Sequence, residues 1–151
     1  MRPDDDARLL AAALAEQRAC YEEMLGIAEG HRETLLSDDP DPLLDLVRKK
    51  QGVMERLEGI GRRMAGARDR WPEARDAVEP SLRAGVDRRA DEVAEVLSRL
   101  IAAEEEGARM AGALRDETLG RLKKQADTQK LRSAYGPKEA GDAKLFDTKE
   151  A

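Results

Sequence analysis

Apolar residues in this chain recur in alternating steps of four and three along three stretches, and that spacing constrains the fold more than any other feature. The first series is Leu10, Leu14, Gln17, Tyr21, Met24, Ala28, His31 and Leu35, with two polar interruptions. The second is Leu43, Val47, Lys50, Met54, Leu57, Gly61 and Met64. The third runs through Val93, Val96, Leu97, Leu100, Ile101, Gly107, Met110, Ala111, Leu114, Leu119 and Leu122. A helix turns once in ~3.6 residues, so the alternation keeps each series on one face. Such a stripe must be buried against another helix.

The breaks between the series predict the connections. "SDDPDP" at 37–42 ends the first helix, because proline disfavours helix at the residue before it and suits the first turn of the next. So short a break favours an antiparallel hairpin. The first helix is expected to start at Asp4–Asp6, where carboxylates suit the positive end of the helix dipole. Residues 66–86, "GARDRWPEARDAVEPSLRAGV", hold two prolines and no clean period. They are expected to form a loop with a short helical turn, with Trp71 anchored on the hairpin. A third helix is expected from about Asp87 to about Ser133, stopped by Gly136-Pro137.

The expected fold class is therefore all-α. An elongated antiparallel hairpin and a third long helix form a coiled-coil-like three-helix bundle over residues 1–136, and a flexible tail follows over 137–151. At ~1.5 Å per residue the first and third helices come to ~45–70 Å each, a rod. Leu14, Tyr21, Leu57, Leu100 and Leu114 are expected in the core. His31, by its place in the first series, is expected to be a semi-buried packing residue facing the partner helix.

Composition narrows the function. With 39% charged and 3% aromatic residues, the chain suits long helices better than a sheet. Its 27 basic and 32 acidic residues are mixed, giving a net charge of −5 and no basic face for nucleic acid. The lone Cys20 can form no internal disulfide, and "MRPDDDARLL" lacks the basic flank and apolar core of a signal peptide. No run approaches the length of a membrane span. A cytoplasmic protein with no integral membrane segment is expected.

Neither enzyme activity, nor a metal, nor a cofactor is expected. The only histidine has Ala28 three residues before it, where carboxylate-bridged metal bundles place a glutamate. Glu104, Glu105 and Glu106 are consecutive and point in three directions on a helix, as a solvated face does. No glycine-rich phosphate loop follows a strand. A histidine phosphotransfer module is a further reading. It asks for a small residue near the histidine, whereas Thr34 and Leu35 occupy the third and fourth positions after His31.

The C-terminal stretch carries the candidate site. After Leu122 comes "KKQADTQK", with one alanine as its only apolar side chain. Leu131 and Tyr135 follow, four apart and so on one helical face, with no visible core to join. Anchors at helical spacing are how an amphipathic helix docks in a groove. Leu145-Phe146 is the one apolar dyad of the tail. The expected partner-binding residues are Leu122, Leu131, Tyr135, Leu145 and Phe146.

The stretch "HRETLLSDDPDPLLDLVRKKQGVMERLEGIGRR" (31–63), with "SAYGP" at 133–137, resembles the FlgN-type flagellar export chaperones. The shared features are a leucine-rich acidic turn, the Lys50-Gln51 and Leu57-Glu58 pairs of the second helix, and a Tyr-Gly step after the third. The resemblance extends from about Leu9 to Pro137. It implies a cytoplasmic chaperone of flagellar type III secretion that binds the helical ends of hook–filament junction proteins. It would bring them to the export gate, FlhA, as a monomer or weak dimer. The family's gate-docking tyrosine matches Tyr135. A structural coiled-coil adaptor, whose seam serves dimerisation and has no secretion role, is the alternative from another class.

Overall fold

A computed structural model describes residues 2–37 and 39–140, with side chains through Tyr135. Among these residues all regular structure is helical. Helix α1 spans Pro3–Thr34, α2 spans Asp41–Ala74, a 3-10 turn spans Arg75–Ala77, and α3 spans Pro80–Ala140. The chain divides into one unit, Met1–Arg109, and a second that begins at Met110.

The first unit is an up-down-up three-helix bundle. Ion pairs across α1 and α2 join Glu23 to Arg56, Glu16 to Arg63 and Asp6 to Arg70. Positions fall on α1 as they rise on α2, so the hairpin is antiparallel. The first part of α3 lies beside it, with Glu92 facing Arg18 of α1 and Glu104 accepting a 3.0 Å hydrogen bond from Lys50 of α2. One apolar cluster runs through the unit, built from Leu10, Ala13, Cys20, Met24 and Ile27, from Val53, Ile60, Met64 and Ala67, and from Val86 and Leu100.

On both hairpin helices the core keeps some members of the predicted series, Leu10, Met24 and Met64, and otherwise shifts by one position. Leu100 is buried as expected, but Leu14, Tyr21, Leu57 and Leu114 are half-buried. On α1 Ala13, Cys20 and Ile27 are buried alongside Leu10 and Met24, in place of Leu14, Tyr21 and Ala28. On α2 Val53, Ile60 and Ala67 are buried alongside Met64, while Val47 and Met54 are exposed. One position is a rotation of about 100°. A bundle helix with two neighbours buries a stripe wider than a coiled-coil seam. Small and β-branched residues sit at its centre, where the helices approach, and the longer Leu14 and Tyr21 lie on its rims.

His31 is exposed, which corrects the expectation of a packing histidine. Its position is on the core face, but the buried line of α1 ends one turn earlier at Ile27. Near the turn Leu36, Leu44 and Val47 are exposed as well, while Leu46 is half-buried and packs against the core without covering the ring.

The expected loop over 66–86 is mostly helix. α2 continues through Pro72 to Ala74. A proline inside a helix removes one hydrogen bond, but Pro72 stands in the last turn, beside buried Ala67 and half-buried Trp71. The Arg75 guanidinium lies 5.9 Å from the Trp71 ring centroid and forms a two-pronged pair with Asp87 at 3.0 and 3.1 Å. Val78, also in this segment, is buried. Pro80 begins α3 rather than breaking it, since its missing N–H is one that a first-turn residue does not need. The carboxylate of Glu79 accepts from the Leu82 N–H and caps that turn. At its far end α3 runs through Gly136-Pro137 to Ala140, where the sequence reading stopped it.

Among the described residues one charged side chain is buried. Asp6 is 1% exposed and accepts two 2.9 Å hydrogen bonds from Nε and Nη2 of Arg70. Gly66 leaves room for this, because a Cβ there would lie 3.3 Å from an Arg70 terminal nitrogen. Beside it Asp4 accepts a 3.1 Å hydrogen bond from the Glu79 N–H. The start of α1, the end of α2 and the start of α3 are thereby tied at one end.

Two predictions test this packing. Leu100→Ala should lower unfolding free energy by ~2–5 kcal/mol in urea titrations, whereas Met54→Ala should change it by no more than ~0.5 kcal/mol. The reverse order would put the core on the wrong face. The second concerns Asp6, whose carboxyl the Arg70 hydrogen bonds hold below its ordinary value, outweighing the opposing effect of burial. A group depressed on folding stabilises above its unfolded pKa, and that contribution is lost as pH falls through the folded value. Asp6→Asn should therefore be less stable than the wild type at neutral pH. The gap between their melting temperatures should close on acidification, and a constant gap would show that the ion pair is not its source.

Candidate partner-binding surface

From Met110 onward the chain is described as helix through Ala140. Met110, Ala111, Gly112 and Leu114 are half-buried, and every side chain from Arg115 to Tyr135 is exposed. Local propensity accounts for helix between Arg115 and Tyr135, a stretch rich in Leu, Arg, Lys, Gln and Ala with Gly120 as its one glycine and no proline. Glu117 and Arg121, four apart at 3.7 Å, add a weak pair of the kind that helps exposed helices.

Of the predicted anchors, Leu131 and Tyr135 come together. They are one turn apart on the same face, 59% and 66% exposed. Lys124 and Thr128 precede them in the same four-three alternation, which traces back to Glu117 and Arg121 and then to Met110 and Leu114. The helix thus keeps its core-type register after the apolar residues have been replaced by charged ones. Leu122 does not join them. It stands nine residues before Leu131, about half a turn around the helix, and shares its face with Leu119 and Ala126. Leu119 and Leu122 are both more than half exposed. Residues 119–135 hold five basic side chains and one acidic, in a chain whose net charge is −5. Leu145 and Phe146 lie outside the described residues.

This arrangement offers two opposed apolar pairs on one basic helix. One pair is Leu131 and Tyr135, with Lys124 two turns before Leu131 on the same face. The tyrosine supplies a large apolar ring with a polar tip, the side chain best suited to anchor a partly wet contact.

The sequence reading missed a second exposed patch, at the α1–α2 turn. Leu36, Leu44 and Val47 are 71%, 49% and 57% exposed. Asp39, Asp41 and Asp45 beside them are exposed too. The available signal was charge: residues 33–47 hold five acidic side chains and no basic one. Assigning Val47 to the buried seam hid it.

A shallow groove between α1 and α2 has Cys20 and Ile60 in its lining and is bridged by the Glu16–Arg63 pair. Cys20 is buried, and that burial pushes its thiol pKa up, away from the thiolate that a nucleophile needs. Glu106 pairs with Arg109 at 2.7 Å. Among the described residues no group of three or more His, Cys, Asp or Glu could hold a metal ion, and no helix is long and apolar enough to cross a membrane. No family model, curated protein or solved structure matches this chain.

Proposed function

We propose that this chain is a cytoplasmic FlgN-type chaperone of flagellar type III secretion, binding hook–filament junction proteins and docking on the export gate FlhA. The reading rests on the resemblance across residues 31–63 and 133–137. The observation that carries it is the exposed Leu131–Tyr135 face at the end of α3. A tyrosine capping a bundle would be packed, and Tyr135 is two-thirds exposed. An aromatic ring held at that exposure on a basic helix suits a partner's apolar groove. The parallel-dimer adaptor is less well supported, because the apolar stripes of Met1–Arg109 are buried against one another within a single chain.

One observation favours a second reading. His31 is exposed on a helix of a bundle, as a phosphoryl-accepting histidine must be. Against it, half-buried Thr34 and Leu35 stand one turn on, and the Thr34 hydroxyl is engaged with the His31 carbonyl at 2.9 Å.

The test is binding of the purified chain to the cytoplasmic part of FlhA by calorimetry. Tyr135→Ala should weaken it by ~2 kcal/mol or more, roughly thirtyfold, with the melting temperature unchanged. A lowered melting temperature with intact binding would make the tyrosine a structural residue. In the same assay His31→Gln should bind as the wild type does, and acetyl phosphate should leave His31 unmodified. Stable phosphorylation of His31 would favour the second reading.

A further inference from the structure

We propose that the groove between α2 and α3, on the outer face of the Met1–Arg109 unit, receives an amphipathic partner helix with basic flanks, packed as a fourth helix of the bundle. This goes beyond the chaperone reading. It assigns a second surface, distinct from the Leu131–Tyr135 face, and the chemistry of what binds there.

The two helices that build the groove have a fixed relation. Arg75 pairs with Asp87 and Lys50 with Glu104, so positions rise on α3 as they fall on α2, and the helices run antiparallel. Met54 stands one turn after Lys50 and Ile101 one turn before Glu104, which brings both to one level. At ~100° per residue they lie on one side of that ion pair, and the buried Val53 and Leu100 lie on the other. Met54 and Ile101 therefore border the groove on its outer side. Each belongs to a line spaced by seven: Val47, Met54 and Gly61 on α2, and Ala94, Ile101 and Ala108 on α3.

Both lines are open. Val47, Met54 and Ile101 are 57%, 45% and 51% exposed, and Ala94 and Ala108 are exposed too. A Cβ on Gly61 would meet nothing within 4 Å. Apolar residues scattered singly on a surface need no explanation, but two facing lines at heptad spacing are what a further bundle helix packs against. From Val47 to Gly61 the groove runs ~21 Å, about four helical turns.

The rims decide the charge of the partner. Glu58 on α2 and Asp91 and Glu105 on α3 flank the lines, exposed and, among the described residues, without a hydrogen bond or ion pair. The nearby cations are turned elsewhere. Lys50 holds Glu104, Arg109 holds Glu106, and the Arg62 guanidinium reaches back to within 4.0 Å of a Cβ placed on Gly59. A helix with one apolar face and lysine or arginine on both flanks complements such a groove, and an acid-flanked helix is repelled by it.

Two synthetic helical peptides of about three heptads, with leucine on the apolar face, serve as probes. One carries lysine on its flanks and the other glutamate. In fluorescence anisotropy titrations with the full chain at ~0.1 M salt, the lysine peptide should bind about tenfold more tightly or better. Met54→Ser/Ile101→Ser should weaken that binding about tenfold or more. Glu58→Lys/Glu105→Lys should reverse the preference between the peptides. All four side chains are exposed, and circular dichroism melts check that each variant folds. Equal affinity for the two peptides, or variants that bind as the wild type does, overturns the proposal. So does a wild-type dimer that the groove variants dissociate, since the occupant is then a second copy. Tyr135→Ala should bind the lysine peptide as the wild type does, so loss of gate docking and loss of this contact are separate outcomes.

Discussion

A carboxylate out of water has to be paired, and Asp6 sets the terms for the closed end of this bundle. Its two hydrogen bonds from Arg70 bind the first turn of α1 to the last turns of α2. The neighbouring Asp4 holds the backbone just before α3. A buried ion pair is a poor source of net stability, because desolvating two charges costs about what their attraction returns. Its contribution is to disfavour alternatives. Sliding α2 along α1 would leave Asp6 buried and unpaired, so the pair specifies the hairpin register that a stripe of alanine, valine and isoleucine leaves loose.

The rest of the interface follows from that register. Arg56, Arg63 and Arg70 recur every seven residues, each four after a glycine, at Gly52, Gly59 and Gly66. Each arginine reaches a carboxylate on α1. The Glu23–Arg56 and Glu16–Arg63 pairs are exposed and individually weak. Together they line one edge of a core that contains no phenylalanine among its described residues and only half-buried Tyr21 and Trp71 as aromatics. With so little bulky apolar surface, close approach of small residues holds the helices together, and that requires the register to be right.

The second part of α3 obeys a different rule. Between Arg115 and Tyr135 no side chain is buried, so local propensity carries the helix and the surface is open to be chosen for recognition. The same four-three spacing that serves a core upstream presents Leu131 and Tyr135 here, while Leu119 and Leu122 turn the other way. One helix can therefore offer two surfaces of different use.

Helix number, their order and the antiparallel hairpin were legible in the spacing of Leu, Val, Met and Ala and in the "SDDPDP" break, because helical periodicity and proline are local effects. The exposure of Leu131 and Tyr135 was legible for the same reason, since the apolar series visibly lapses before them. Which residue of each stripe lies deepest was not, because a heptad tolerates a one-position rotation until two neighbours are in place. That rotation made Ala13, Val53 and Ile60 the centre and put Met54 in solvent. Pro72 and Pro80 read as breakers in sequence, yet one stands in a last helical turn and the other in a first, a distinction made by the packing of Ala67, Trp71 and Val78. His31 has the spacing of a core residue and the environment of a surface one, because only the fold decides where the buried stripe ends.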